Sequence, residues 1–378
     1  MIKCLKINFL SVKSATYVME SNIVIVGGGI IGCSTAYYLT KLGHTKVTLI
    51  EAVEVAHAAS GRAGGFLALD WCDGQRTGAL ARRSYHLHQQ LAESLGQDCG
   101  YRPMRTLSLE VRDKRAGVKK VKDSPEWIDG EVKNQSVIGT EASTAQVHPR
   151  LLTRALMAEA ERAGARLVRA EVTGGQMEAG AVTGVSLASG EIVKAEVVVL
   201  CMGPWTGLGL QWFGLRGSVI DGHRAHSITM ELDGPSTIDN TALFLSNLKS
   251  PEVYPRPDGT VYMCGGCSSD HAPLPAHPAD VKVDEAACDQ IKVSAGLVSD
   301  QLALVSRYTR SACYLPHSED GAPVMGRVSR VSGLHVAAGH SCWGILQGPA
   351  TGEAMAELLL GKTSHLDISP FDPDRFFD

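Results

Sequence analysis

The chain has 378 residues, 44% of them hydrophobic, and a formal net charge of −4. That length suits a two-lobed protein rather than one compact core. The near-balanced charge gives no reason to expect nucleic acid or an anionic membrane as partner, and no apolar run approaches the roughly twenty residues of a spanning helix. Ten cysteines are scattered without the spacing of a disulfide framework, which reads as a reduced, cytoplasmic setting.

Residues 1–20 precede the first motif. They carry Lys3, Lys6 and Lys13, no acid before Glu20 and no arginine. This stretch reads either as a disordered extension or as an organellar presequence, with Met19 an alternative start. Ile23 to Val26 is a β-branched run expected as a strand buried on both faces of a parallel sheet. It enters Gly27-x-Gly29-x-x-Gly32. In such a fingerprint the first glycine permits the tight turn, the second admits a pyrophosphate, and the third lets helix lie on strand. The helix opening at Ile30 and Ile31 is expected to run to near Gly43 and to aim its N-terminal amides at phosphate. A second strand, Val47 to Ile50, leads to Glu51 and Ala52. Glu51 stands about twenty residues past the glycines, where a carboxylate accepts from ribose hydroxyls.

The loop that follows contains Ser60-Gly61-Arg62-Ala63-Gly64-Gly65. Its close-approach backbone amides suit a second set of contacts to phosphate and ring, which a nicotinamide enzyme does not need. Arg105 to Val111 alternates as a strand, and the charged stretch Asp113 to Lys133 reads as a solvated surface loop. Leu151 to Ala160 has helical spacing, and Val172 follows a further strand-like run. Ala195 to Leu200 reads as a strand entering Cys201-Met202-Gly203-Pro204-Trp205. His226 to Glu231 alternates again, and Val253 to Met263 reads as a hairpin turning at Pro257-Asp258-Gly259. Cys264-x-x-Cys267 is a lone CxxC without the second pair of a four-ligand zinc site. Near the end stand Glu319-Asp320-Gly321-Ala322-Pro323 and Gly339-His340-Ser341-Cys342-Trp343-Gly344-Ile345, ahead of a helix expected from about Pro349.

Four of these patches together resemble the D-amino-acid oxidase family of FAD-dependent oxidoreductases, which includes glycine oxidase and monomeric sarcosine oxidase. They are the fingerprint with Glu51, the Ser60–Gly65 loop, the Ala195–Trp205 segment and the region from Pro316 to Ala356. The likeness runs from Asn22 to Gly361. It implies an α/β fold: a Rossmann-type FAD-binding domain with a second, α+β substrate domain on a mainly antiparallel sheet. The FAD domain would be discontinuous, in residues 21–90, 148–215 and 311–362; residues 91–147 and 216–310 would form the substrate domain, and 363–378 a tail. Val172 would meet the adenine through its backbone, with Gly203 and Trp205 beside the cofactor. Gly339, Trp343, Gly344, Ile345 and Leu346 would lie at the flavin, where a helix N-terminus stabilises the anionic reduced ring.

The implied activity is oxidation of a C–N bond in a small amine or amino-acid-like substrate, by hydride transfer to flavin N5 and reoxidation by O2 to H2O2. The alternatives are a dehydrogenase using another electron acceptor and a flavin-binding protein with a trafficking or scaffold role. Counting back from Asp320 puts Cys313 where monomeric sarcosine oxidase attaches its flavin through a thioether; a packed, inert thiol is the other reading. His340 and His226 are candidate catalytic groups near the ring, each with a plain structural alternative. Two departures stand out. The arginine that pairs with a substrate carboxylate in glycine oxidase is Leu315 here, and the lysine found in monomeric sarcosine oxidase is Leu346. Arg62, Arg224 and Arg256 are the remaining candidates for that anchor. No lysine lies between Tyr254 and Ser268, where the family's oxygen-activating lysine is expected.

Overall fold

A computed structural model describes residues 21–96, 98–112, 122–232, 236–265 and 272–377. The extension 1–20, the second cysteine of the CxxC and part of the charged stretch after Asp113 lie outside the described residues.

The β-branched run folds as expected. Ile23–Val26 is a fully buried strand at the centre of a six-stranded sheet. The sheet order is Val324–Arg327, Leu334–Ala338, Val197–Leu200, Ile23–Val26, Val47–Glu51, Arg166–Arg169. All neighbours are parallel except the edge strand Val324–Arg327. Apolar side chains leave both faces of these strands, so both must be covered. One face packs against the helices Ile30–Lys41, Gly78–Ser94, Pro149–Arg162 and Gly344–Leu359. The other packs against the small antiparallel sheet built from Val172–Glu178, Ala181–Leu187 and Ile192–Lys194.

A second sheet has seven strands in the order Tyr308–Ser318, Ile220–Glu231, Thr260–Cys264, Glu252–Pro255, Thr241–Leu245, Arg105–Val111, Val132–Gly139. It is antiparallel apart from the Thr241–Leu245 and Arg105–Val111 pair. The hairpin Val253 to Met263 is present, and Gly259 supplies its positive φ of 81°. The alternating residues Leu107, Leu109, Ile228, Met230, Val253, Val261 and Met263 bury one face against the helix Glu285–Val298. The opposite face looks toward the dinucleotide-type sheet, and the site forms there.

Four expectations shift. The last helix begins at Gly344, not near Pro349, so the proline lies inside it. The stretch before Lys133 is not all solvated loop: Trp127 and Ile128 are 1% exposed, and Trp127 Nε1 donates to Asp239 Oδ1 at 3.0 Å. Strand Tyr308–Ser318, whose residues from Ser311 on were expected with the dinucleotide-binding pieces, is the edge strand of the seven-stranded sheet. The last residues, read as a tail, are docked: Phe371 is buried, and Arg375 donates to Asp320 and to the carbonyls of Ala322 and Pro323.

Candidate active site

The strand Ile23–Val26 ends where side chains cannot fit. Gly27 has φ +110°, and a Cβ there would lie 2.3 Å from the Cys201 carbonyl oxygen. A Cβ on Gly32 would lie 2.0 Å from the Gly27 oxygen, so the third glycine of the fingerprint serves helix-on-strand packing. Gly29 caps the helix Ile30–Lys41, whose first-turn amides have no intrahelical partners. Ile30 N–H donates to Ser60 Oγ at 2.9 Å, tying the Ser60 loop to the helix end. Glu51 accepts from Gly28 N–H at 2.7 Å and from Val53 N–H at 2.9 Å, one on each oxygen. Burial pushes its carboxyl above the ordinary value, and those two amides pull it back. Each carboxylate oxygen has room for a second donor, so the set retains capacity for a ribose hydroxyl.

These residues open into a cavity of about 480 Å3 between the two sheets. Gly27, Gly29, Ile30 and Ile31 line it from the first helix, and Glu51 and Ala52 from the second strand. Ser60, Arg62, Gly64 and Gly65 enter from the loop, and Val172, Gly203 and Trp205 from the far side. Cys313, His340, Trp343, Gly344 and Ile345 complete the expected set.

Four residues of the expected set are not among those lining the cavity. Gly32 is a packing position, as above. Gly61 is one too, because a Cβ there would lie 1.9 Å from the Ala56 oxygen. Gly339 turns the chain at φ +81° behind the lining. Leu346 is 1% exposed in the core, on the inner side of its helix.

That last helix explains its own proline. Pro349 has no N–H for the carbonyl of Ile345. His88 Nε2 meets that carbonyl at 2.9 Å and the Leu346 carbonyl at 3.1 Å. The Ala350 N–H donates to Ser84 Oγ at 3.0 Å. Two side chains of the helix Gly78–Ser94 therefore repair the break and hold the first turn, with Gly344 and Ile345, against the cavity. Complete burial lowers the His88 pKa to about 4, with the two carbonyls opposing, so its imidazole is neutral and donates through Nε2.

His340 is also buried. Its Nε2 pairs with Thr351 Oγ1 at 2.9 Å, its Nδ1 has no partner among the described residues, and burial lowers its pKa to about 3. It is a neutral hydrogen-bonding group beside the cavity. His226 lines the cavity with its neighbours Ala225 and Ser227, and its Nε2 accepts the Asp284 N–H at 3.1 Å. Burial pushes the Cys313 thiol up to about 11, with Arg62 pulling the other way.

Among the three arginine candidates, Arg62 alone lines the cavity, and its Nη1 donates to the Ala312 carbonyl. Arg256 donates to the Ala63 carbonyl and stacks on Tyr262, 4.8 Å from the ring centroid. Arg224 Nη1 donates to the Lys282 carbonyl at 3.4 Å. Leu315, at the position of the missing anchor, does line the cavity.

Sequence reading missed Glu252, Trp71 and Phe244, all of which line the cavity. The Glu252-Val253-Tyr254 alternation carried a signal, since it puts the acid on the same face as Tyr254. Which face met the site depended on strand order.

A parallel sheet with a glycine-rich strand-to-helix turn, roofed by an antiparallel sheet over a shared cavity, defines a dinucleotide-dependent oxidoreductase. The chain belongs to the FAD-dependent oxidoreductase family named DAO, whose model matches residues 22–358. FAD is its cofactor. The side-chain-free cradle at Gly27 and Gly29, the helix end and the ribose-side carboxylate fit that group. The chain is 34% identical to a putative oxidoreductase of Schizosaccharomyces pombe, over 93% of this chain and 98% of that one. It is 27% identical to glycine oxidase of Pseudomonas aeruginosa, over 94% and 99%. The solved glycine oxidase of Geobacillus kaustophilus superposes with a TM-score of 0.79 at 23% identity, covering 95% of this chain and 99% of that one. Among the described residues no helix is long and apolar enough to cross a membrane.

Proposed function

We propose that this FAD-dependent oxidoreductase oxidises the C–N bond of a small amine or amino-acid-like molecule, with O2 as the final acceptor. The observation that carries the reading is the single cavity shared by the glycine cradle and the aromatic face of the roofing sheet. Family likeness supports it, since glycine oxidases are among its relatives.

Bound FAD supplies a hydride acceptor at N5. The protein does the rest. Phe244, Tyr254 and Tyr262 of the roofing sheet cover the cavity together with Phe66 and Trp71 beside it, and these rings exclude water and fix the substrate against the cofactor. The positive end of the helix Gly344–Leu359 lies at the cavity wall and favours the negative charge that reduction leaves on the cofactor. His340, held neutral, offers hydrogen bonding without adding charge.

The test is anaerobic mixing of the purified holoenzyme with amines, amino acids and cyclic imines, followed by admission of O2 and assay for H2O2. Bleaching and stoichiometric H2O2 support the oxidase. A second reading has one observation behind it: no lysine lines the cavity among the described residues. Electrons would then pass to another acceptor. Slow recovery of colour in O2 but fast recovery with an artificial quinone would favour that reading.

A further inference from the structure

The register of the roofing sheet sets five side chains on its cavity face. Phe244 stands opposite Glu252, Glu252 opposite Cys264, and Tyr254 opposite Tyr262. Phe66 and Trp71 close the wall: their ring centroids lie 5.1 and 5.0 Å from Phe244, and Phe66 stacks at 5.7 Å on Tyr254. Glu252 is the acid within this wall. The Tyr254 hydroxyl donates to its Oε2, and the Cys264 thiol approaches the same oxygen at 3.6 Å. Among the described residues no donor or cation meets Oε1. A carboxylate in such surroundings is costly unless a cation joins it.

The charge balance of the cavity points the same way. Its lining includes Glu51, Glu171 and Glu252 against Arg62, the one Lys or Arg among the described lining residues, and Arg62 is engaged by Ala312. A substrate carboxylate would meet Leu315 and an acid. A substrate ammonium would meet a carboxylate and aromatic faces, both of which attract it. Accordingly, we propose that Glu252, set in the Phe66–Trp71–Phe244–Tyr254 wall, binds the ammonium of the substrate, and that the substrate class is amines with an apolar body and no α-carboxylate. This rests on the reading that the enzyme oxidises a C–N bond at this cavity.

The same group supplies the proton step that such oxidation requires. Transfer from the bound ammonium breaks one N–H bond and forms one O–H bond on Glu252, leaving a neutral amine whose lone pair can assist loss of hydride from the adjacent carbon. Burial raises the Glu252 carboxyl above its ordinary value, with Tyr254 and Cys264 pulling it down, which suits it to accept a proton. The titratable groups facing it are the Tyr254 hydroxyl and the Cys264 and Cys342 thiols, all raised by burial and so uncharged at neutral pH.

The test uses the FAD-loaded protein and two unreactive probes of the same shape and opposite charge, benzamidinium and benzoate. Binding is read from perturbation of the flavin spectrum and by calorimetry. Benzamidinium is expected to bind at least tenfold more tightly than benzoate. Glu252→Gln is expected to lose that preference while keeping its FAD. Should the variant fail to fold, the pH dependence of the unaltered protein serves: benzamidinium affinity should fall as acid protonates Glu252. Tighter binding of benzoate, or a cation preference that survives Glu252→Gln or is flat with pH, would overturn the proposal. Reduction of the flavin by glycine or D-amino acids in preference to simple amines would also overturn it while leaving C–N oxidation intact. Selective benzamidinium binding with no flavin reduction by any amine would instead defeat the proposed function and spare the cation site.

Discussion

Single residues carry the chemistry of this chain, and Gly29 is the clearest of them. A Cβ on Gly29 would meet only Ser60 Oγ, at 3.2 Å, so the fold can absorb a small shift. A larger side chain would enter the cavity at the proposed pyrophosphate site. Gly29→Leu should therefore express as a folded protein with FAD occupancy reduced by roughly tenfold or more, a loss of about 1.4 kcal/mol or greater. Full occupancy by absorbance would mean the phosphates bind elsewhere. Cys313 allows a second prediction. A thiol pushed to about 11 by burial is almost wholly protonated at neutral pH, and addition to a flavin needs the thiolate. Acid precipitation should leave a colourless pellet and a yellow supernatant. A yellow pellet that turns colourless in Cys313→Ser would show the thioether instead. The glycines and Glu51 were legible in the sequence because strand, turn and helix occur in one local run. Glu252 was not, because its place depends on which face of a strand meets the cavity, and that is set by pairings between distant segments.

At the scale of elements, the proline-broken helix is the instructive one. Its start was misplaced by five residues, from Gly344 to Pro349, because a proline normally opens a helix. The structure keeps the earlier turn by borrowing His88 and Ser84 from the helix Gly78–Ser94. Nothing near Pro349 in sequence reveals that loan. His88→Leu keeps much of the volume but strips a donor from two buried carbonyls. It should lower stability by about 1–3 kcal/mol, seen as a fall in Tm. It should also weaken FAD retention, since Gly344 and Ile345 are the cavity end of the same helix. An unchanged Tm would show that the Pro349 break needs no repair. The strands were easier to read, because β-branched runs and two-residue alternation survive in either sheet. Their order was not, since strands such as Ile23–Val26 and Leu334–Ala338 join one sheet from opposite ends of the chain.

At the scale of the molecule, the chain's last residues lock the fold. Arg375 and Arg76 both bind Asp320, on the segment between the edge strands of the two sheets. Burial pushes the Asp320 carboxyl up, but Arg375, Arg76 and the Ala322 amide outweigh it and hold it well below the usual carboxylate range. Since the folded value lies below the unfolded one of about 3.9, the clasp contributes stability above that pH and loses it as acid protonates the carboxyl. Asp320→Asn should lower Tm at neutral pH, and the gap from the unaltered protein should narrow as pH falls below about 4. A gap that is constant with pH would show the loss to be one of shape rather than charge. The two-sheet plan itself was recognisable from four separated patches. The docking of residues beyond Gly361 was not, because the scattered apolar residues of this short segment, Phe371 among them, carry no periodicity to reveal what they pack on.

We propose that this cavity joins FAD to a C–N bond. The most direct measurement is the visible flavin band of the purified holoenzyme, followed without oxygen as a panel of primary, secondary and cyclic amines is added, with product analysis after each. At least one amine should bleach the band and yield one equivalent of imine, or of its carbonyl hydrolysis product, per flavin. A band that stays oxidised with every amine and amino acid, while dithionite still reduces it, would contradict the account.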